Sequence, residues 1–240
     1  MIEGPAEQLV FFDLECSGLN PKRHEICEIA AIAVCAETLR ELESFEMKVQ
    51  FDPSKADPKA LGINKYDPEI WSLTAIAPEL VAEYFAQFLR RHATRYLKKQ
   101  SGGHFQVAQL VAHNGAFDGP FLQAWYQRLG TYLPAARQVL CTMQRSLWLF
   151  ASEDRSLTPP ADYKLATLTN YYNVSTKPTH QAMNDVRATI EVYRAINEHL
   201  LALTSSQSVC LNQLARVSKD VSVRRILDRA INAAIRELAA

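Results

Sequence analysis

An α/β sandwich, with one sheet and helices on both faces, is the fold class the sequence predicts. Three observations predict it: three apolar, strand-like segments open the chain, helical patterns then alternate with short strand-like pieces, and no internal repeat interrupts that order. Composition agrees, since 48% of the 240 residues are hydrophobic and 22% charged, far from the signature of disorder. The length suits one large domain with a small appendage, expected at residues 1–203 and 204–240.

The strands come first. Gln8 to Leu14 (QLVFFDL) and Glu25 to Cys35 (EICEIAAIAVC) read as buried strands joined through Gly18-Leu19-Asn20-Pro21, and Glu43 to Phe51 alternates like a strand near a sheet edge. A loop rich in Pro and Asp is expected from Asp52 to about Pro68. A helix follows from Pro78 to Lys99, with Leu80, Val81, Tyr84, Phe85, Phe88 and Leu89 at core spacing. Its basic end, Arg90, Arg91, Arg95, Lys98 and Lys99, reads either as a solvated helix terminus favoured by the dipole or as a patch for a phosphate backbone. Beyond Ser101-Gly102-Gly103, a strand is expected at Gln106 to Ala112 and a helix at Phe121 to Leu129. A short strand at Gln138 to Cys141 and helices at Thr142 to Phe150, Lys164 to Tyr172 and Ala182 to Leu201 complete the expected domain. Thr204 to Ser208 is polar like a linker, and Val223 to Leu238 forms an amphipathic terminal helix. That helix has three candidate partners: its own domain, a second copy in a homodimer, or a polymerase or other complex.

Charge and cysteine content exclude several function classes. Twenty-six Lys+Arg balance 26 Asp+Glu, so a tail-driven, surplus-cation nucleic-acid binder is not expected. The five cysteines form no C-x-x-C pair and are odd in number, which fits buried thiols better than a zinc knuckle or a disulfide framework. The longest apolar run, Ile29 to Ala36, is too short to span a bilayer. The start MIEGPAEQ is acidic where a signal peptide is basic and then apolar. A cytoplasmic protein with no membrane partner is expected.

Three short segments concentrate acids where chemistry would need them. In Leu9-Val10-Phe11-Phe12-Asp13-Leu14-Glu15, Asp13 and Glu15 fall on one face of a strand, about 6–7 Å apart along the chain. Like charges so placed resist desolvation, and a divalent cation with oxygen ligands would compensate them; a solvated strand end is the plainer reading. In His113-Asn114-Gly115-Ala116-Phe117-Asp118-Gly119-Pro120, Asn-Gly signals a hairpin, yet the following Phe121 to Tyr126 reads as a helix. Asp118 then serves as its cap with Pro120 in its first turn, a position compatible with metal binding. In Thr179-His180-Gln181-Ala182-Met183-Asn184-Asp185, Asp185 lies in the first turn of a long helix, where negative charge is favourable anyway. His180 sits on the preceding loop, as a surface residue or one that reaches into a cleft.

Together these segments resemble the DEDDh family of 3′–5′ exonucleases. FFDLECSGLNPKRHEICEIAAI is similar to its first motif, HNGAFDGPFL to its second, and YKLATLTNYYNV with THQAMNDVRATIEVYRAI to its third, over about residues 8 to 200 and in the family's order. The resemblance implies a ribonuclease H-like fold, with a central five-stranded mixed sheet flanked by helices and here a C-terminal helical extension. It implies Asp13, Glu15, Asp118 and Asp185 as the acids that hold two divalent cations, Mg²⁺ or Mn²⁺, with His180 as the catalytic histidine. Substrate contacts are implied at Cys16, Ser17, Gly18, Leu61, Ile63, Asn64, His113, Asn114 and Phe117.

The chain departs from family habit at Cys16, where Thr is common, at Gly115 and Gly119, and in Leu61-Gly62-Ile63-Asn64-Lys65, only loosely similar to the family's substrate-edge segment. The implied activity is removal of nucleoside 5′-monophosphates from the 3′ end of a single-stranded nucleic acid, DNA before RNA. Exoribonuclease or oligoribonuclease action is the alternative, and a partner-binding module on the same fold ranks below it. An endonuclease or nucleotidyl transferase also uses clustered acids, but the H-x-x-x-x-D third motif argues against both.

Overall fold

A computed structural model describes residues 6–151 and 158–217. The chain divides into two compact units, Met1–Arg194 and Ala195–Ala240; the sheet and the acidic segments belong to the first. The expected terminal helix at Val223 to Leu238 lies outside the described residues. Among those residues, no helix is long and apolar enough to cross a membrane.

Five strands form the mixed sheet that the resemblance implied, in the order β3-β2-β1-β6-β7. β1 (Gln8–Cys16), β2 (Ile26–Cys35) and β3 (Glu41–Lys48) form an antiparallel meander. On the other side of β1, β6 (Leu110–Ala112) pairs with it in parallel, and β7 (Leu140–Cys141) pairs in parallel with β6. β1 is therefore central, and its near-continuous run of large apolar residues suits a strand covered on both faces.

The period of two in β1 sorts its side chains into two cores. Val10, Phe12 and Leu14 pack with α3 (Pro78–Arg91) and α4 (Gly115–Arg128), through Phe85, Phe88, Leu89, Phe121, Leu122 and Trp125. Leu9 and Phe11 pack on the other face against Ala182, Val186 and Ile190 of α7 (Ala182–Val217). Asp13 and Glu15 continue this second row, so α7 begins over the acids. Trp125 is fully buried; Trp125→Ala is expected to cost about 3–5 kcal/mol, read as a lower urea midpoint at unchanged slope.

Several elements differ from the sequence reading, each for a local reason. The Pro/Asp-rich stretch is not a plain loop. It holds a 3₁₀ turn (Pro53–Lys55) and the helix α1 (Pro58–Ile63), and α2 (Pro68–Thr74) follows it. Asp52, Asp57 and Asp67 each cap one of these with a side-chain oxygen, and each is followed by a proline in the first turn. α3 stops at Arg91 rather than Lys99. Residues beyond it alternate as a strand, β4 (Arg95–Lys98), paired antiparallel with β5 (His104–Val107) around Gly102 and Gly103, whose φ values of 88° and 79° turn the chain. The expected strand at Gln106 to Ala112 is thus split between β5 and β6.

Asp118 is not a helix cap and Pro120 is not in a first turn. α4 begins at Gly115, with Asn114 in the cap position, so Asp118 lies within the first turn and Pro120 beyond it. Gly115 and Gly119, four apart on that helix, face Val139, which a Cβ would meet at 3.0 and 3.2 Å respectively; the two glycines let α4 lie close to the chain entering β7. Helices α5 (Thr142–Ala151) and α6 (Leu165–Tyr171) fall where periodicity places them. α7 runs on without a break through 204–208, so the polar stretch there is helical, consistent with the small propensity differences that Ser and Gln carry.

Candidate active site

The acids meet at the C-terminal end of β1, beside its parallel neighbour β6. Connections leave these two strands toward opposite sides of the sheet, opening the kind of crevice where α/β sheets bind ligands. Asp13 and Glu15 arrive from β1, Asp118 from α4 directly after β6, and Asp185 from the first turn of α7. One oxygen from each of Asp13, Glu15 and Asp185 lies within 4.8 Å of the other two. Asp118 is the strongest charged neighbour of Asp13, and its carboxylate accepts the backbone N–H of Leu14.

Burial and mutual repulsion disfavour the ionised form of this group. Burial first, then Asp118, Glu15 and Asp185, push the Asp13 carboxyl well above the usual range. Burial, then Asp185, Glu28 and Asp118, push Glu15 up to about 8, against a smaller opposing pull from Lys48. Asp118 is raised to about 7 by burial. Asp185 is also raised by burial, although backbone N–H groups and His180 work against the rise. Oxygen-only donors in excess of nearby positive charge fit a divalent cation, which would supply that charge.

His180 is exposed, in a left-handed backbone conformation with φ 54°, which His adopts more readily than most residues. Its loop is fastened from two sides. The Asp185 carboxylate accepts N–H bonds from Thr179, at 2.8 Å, and from His180 itself. From the other side, Lys65 Nζ donates to the Thr179 carbonyl at 3.0 Å. One acid of the cluster therefore also sets where the histidine starts.

The expected substrate residues divide into a lining and a frame. Asn64 Nδ2 donates to the Cys16 carbonyl at 2.8 Å, and the Asp57 N–H to the Ser17 carbonyl at 2.8 Å. These bonds hold α1, with Leu61 and Ile63, beside the exit of β1, and Ile63 is exposed there. Cys16 and Ser17 are themselves buried; the Cys16 side chain joins the α3/α4 core, and Ser17 Oγ accepts the Glu25 N–H at 2.8 Å. Gly18 lies so close to the His24 ring that a Cβ would come within 2.6 Å. His113 is part of the frame rather than the lining: Nδ1 meets Thr142 Oγ1 at 2.9 Å and Nε2 the Tyr163 carbonyl at 3.0 Å. Burial holds its imidazole down at about 4, so it is neutral, and both ring nitrogens are already engaged. Asn114 is exposed at the start of α4, and Phe117 is half-buried against Phe121 at 4.8 Å between ring centroids.

Two features went unread in the sequence. Glu28 stands directly across from Glu15 in the β1/β2 register, buried, and pairs with Lys48 at 3.0 Å, while Lys48 lies 4.4 Å above the Trp71 ring. A lone acid inside the apolar run ICEIAAIAVC, Ile26 to Cys35, was the available signal. Leu19, in the loop after β1 and four residues beyond Glu15, is 79% exposed, an apolar side chain held in water.

Comparisons with known proteins agree with this arrangement. The model of the exonuclease family matches residues 10–100 and 103–193. A PolC-type DNA polymerase III from Caldanaerobacter subterraneus subsp. tengcongensis is 28% identical over 221 residues, 91% of this chain, which spans only 14% of the polymerase's length. Human three prime repair exonuclease 2 is 29% identical over 220 residues, covering 87% of this chain and 92% of that protein. Among solved structures, E. coli exonuclease I in complex with a 5cy-dT13 oligonucleotide superposes with a TM-score of 0.64 at 16% identity, over 89% of this chain and 46% of that one. A zinc-bound form of the same enzyme with single-stranded DNA gives 0.64 at 17% identity, over 85% and 44%.

Proposed function

Because the chain belongs to the exonuclease family, we propose that it hydrolyses single-stranded DNA from the 3′ end and releases nucleoside 5′-monophosphates. The observation that carries this reading is the convergence of Asp13, Glu15 and Asp185 within 4.8 Å at the end of β1, with Asp118 the strongest charged neighbour of Asp13 and the His180 backbone fastened to Asp185. The name of the human relative supports the 3′ polarity and a role in repair.

Asp13, Glu15 and Asp185 would hold one cation, and Asp13 with Asp118 a second, both Mg²⁺ or Mn²⁺ on the strength of the all-oxygen donor set. Bound there, such ions make water acidic and stabilise a leaving 3′ oxygen. His180 takes the proton from the attacking water, a task for which imidazole is suited near neutral pH. Leu19, Ile63 and Leu61 offer apolar surface on which the terminal bases stack. Asn64, which donates to the Cys16 carbonyl, and Ser17, whose carbonyl accepts the Asp57 N–H, hold that surface in place.

A panel of 5′-labelled oligonucleotides tests the proposal. Linear single-stranded DNA should shorten stepwise with Mg²⁺ or Mn²⁺ and stay intact in EDTA, a sealed circle should resist, and RNA should be cut more slowly. Cutting of the circle would overturn exonucleolytic action, and preference for RNA would replace the substrate.

A further inference from the structure

The β4–β5 hairpin takes no part in the acidic site. It enters the sheet through β6, whose Leu110 pairs with Val10 near the start of β1, whereas the acids stand at the far end of that strand. Its register places Leu97 opposite Phe105 and Arg95 opposite Val107, while Tyr96 faces Gln106 and Lys98 faces His104. The first four are partly or fully buried, and Arg95 bonds to Gln109. The second four are exposed, with Tyr96 at 65%. One face of the hairpin thus carries an aromatic ring, an ammonium, an imidazole and an amide, with Lys99 at its tip.

Charge is segregated here. No Asp or Glu occurs between Glu83 and Asp118, while five Lys or Arg do. The two on α3 are neutralised, Arg90 by Glu83 and Arg91 by Glu43. Among the described residues, no carboxylate pairs with Lys98 or Lys99. In a chain of zero formal net charge, this is a local surplus of cation beside an exposed ring, and cations interleaved with stacking surface are what a single nucleic-acid strand binds.

We propose that the outer face of the β4–β5 hairpin, Tyr96, Lys98, Lys99, His104 and Gln106, is a second binding surface for single-stranded nucleic acid, remote from the acids. It holds the body of a strand, without sequence preference, while the 3′ end is elsewhere. The choice of occupant rests on the proposed function; the surface itself does not.

The test is fluorescence anisotropy with the full chain in EDTA, where no hydrolysis occurs, using oligothymidylates of about 3 and about 30 nucleotides, below and above typical single-strand site sizes. The Lys98→Glu/Lys99→Glu variant should weaken binding of the long oligomer roughly tenfold. It should also lower the slope of log affinity against log salt by about 1.4, two phosphate contacts' worth, and leave the short oligomer unchanged. Tyr96→Ala should weaken the long oligomer roughly fivefold or more. Hydrolysis of the short oligomer with Mg²⁺ should match wild type in both variants.

Equal effects on the two lengths, no effect on either, or binding of anionic vesicles in place of the oligomer would each overturn the hairpin's role. If the charge-reversal variant melts early, Lys98→Gln/Lys99→Gln keeps the test, with half the salt-slope change or more required. A wild-type chain that binds the long oligomer through the hairpin yet cleaves nothing would remove the proposed function and leave this surface standing.

Discussion

His180→Asn is expected to lower kcat by on the order of 10²–10⁴-fold, the contribution typical of a positioned general base, and to leave the fold and metal affinity intact. Asparagine is chosen because residue 180 has φ 54°, a conformation Asn tolerates and most residues adopt at a cost. The side chain is exposed, so little packing is lost. The backbone N–H of residue 180, which bonds the Asp185 carboxylate, is retained, and so is the Lys65 bond to the Thr179 carbonyl. Single-turnover cleavage of labelled single-stranded DNA, with a thermal melt and Mn²⁺ calorimetry on the same sample, separates these effects. Near-wild-type cleavage by a preparation free of other nucleases would remove His180 from the mechanism.

Asp13→Asn should abolish cleavage and weaken Mn²⁺ binding, while stabilising the metal-free protein. The second half follows from the sign of the proton linkage. Glu15 has a folded value of about 8 against an ordinary 4.5, and Asp13 is displaced in the same direction. Between those pH values the folded chain holds protons that the unfolded chain has released. Stability contributed by these groups is complete below about pH 4.5 and declines as pH rises toward 8. Removing one repelling carboxylate relieves that loss. On that sign, the metal-free variant should melt above the wild type at pH 8 in EDTA, and the difference should shrink as the pH is lowered toward 4.5. Added Mg²⁺ should raise the melting temperature of the wild type and change that of Asp13→Asn far less. Equal melting temperatures in EDTA at pH 8 would contradict the claim that the acids repel one another unrelieved.

Much of this was legible in the sequence because it is local. The odd-and-even sorting of β1 follows from its period of two, so the shared face of Asp13 and Glu15 could be read directly. The first-turn position of Asp185 likewise follows from the long apolar period of α7. What the sequence hid was non-local or ambiguous. Whether Glu28 lies opposite Glu15 depends on register across β2, which no single segment encodes. The Asp-Pro pairs at 52, 57 and 67 fit loops as well as caps, because the side-chain oxygen and fixed φ that start a helix also start a turn. Arg95 to Lys98 extends the charge pattern of α3 and was absorbed into it; only pairing with β5 makes it a strand. The resemblance implies a substrate contact at His113, yet its ring bonds Thr142 and Tyr163, residues far along the chain that no local pattern connects to it.

The central claim is that Asp13, Glu15, Asp118 and Asp185 act as one ion-binding unit beside His180. Anomalous diffraction at the manganese edge, from crystals soaked with Mn²⁺ and a deoxynucleoside 5′-monophosphate, tests it most directly. Two peaks are expected, both touching Asp13, one shared with Glu15 and Asp185 and the other nearer Asp118, with the phosphate between them and His180. Manganese bound elsewhere, with these four carboxylates left without an ion, would contradict it.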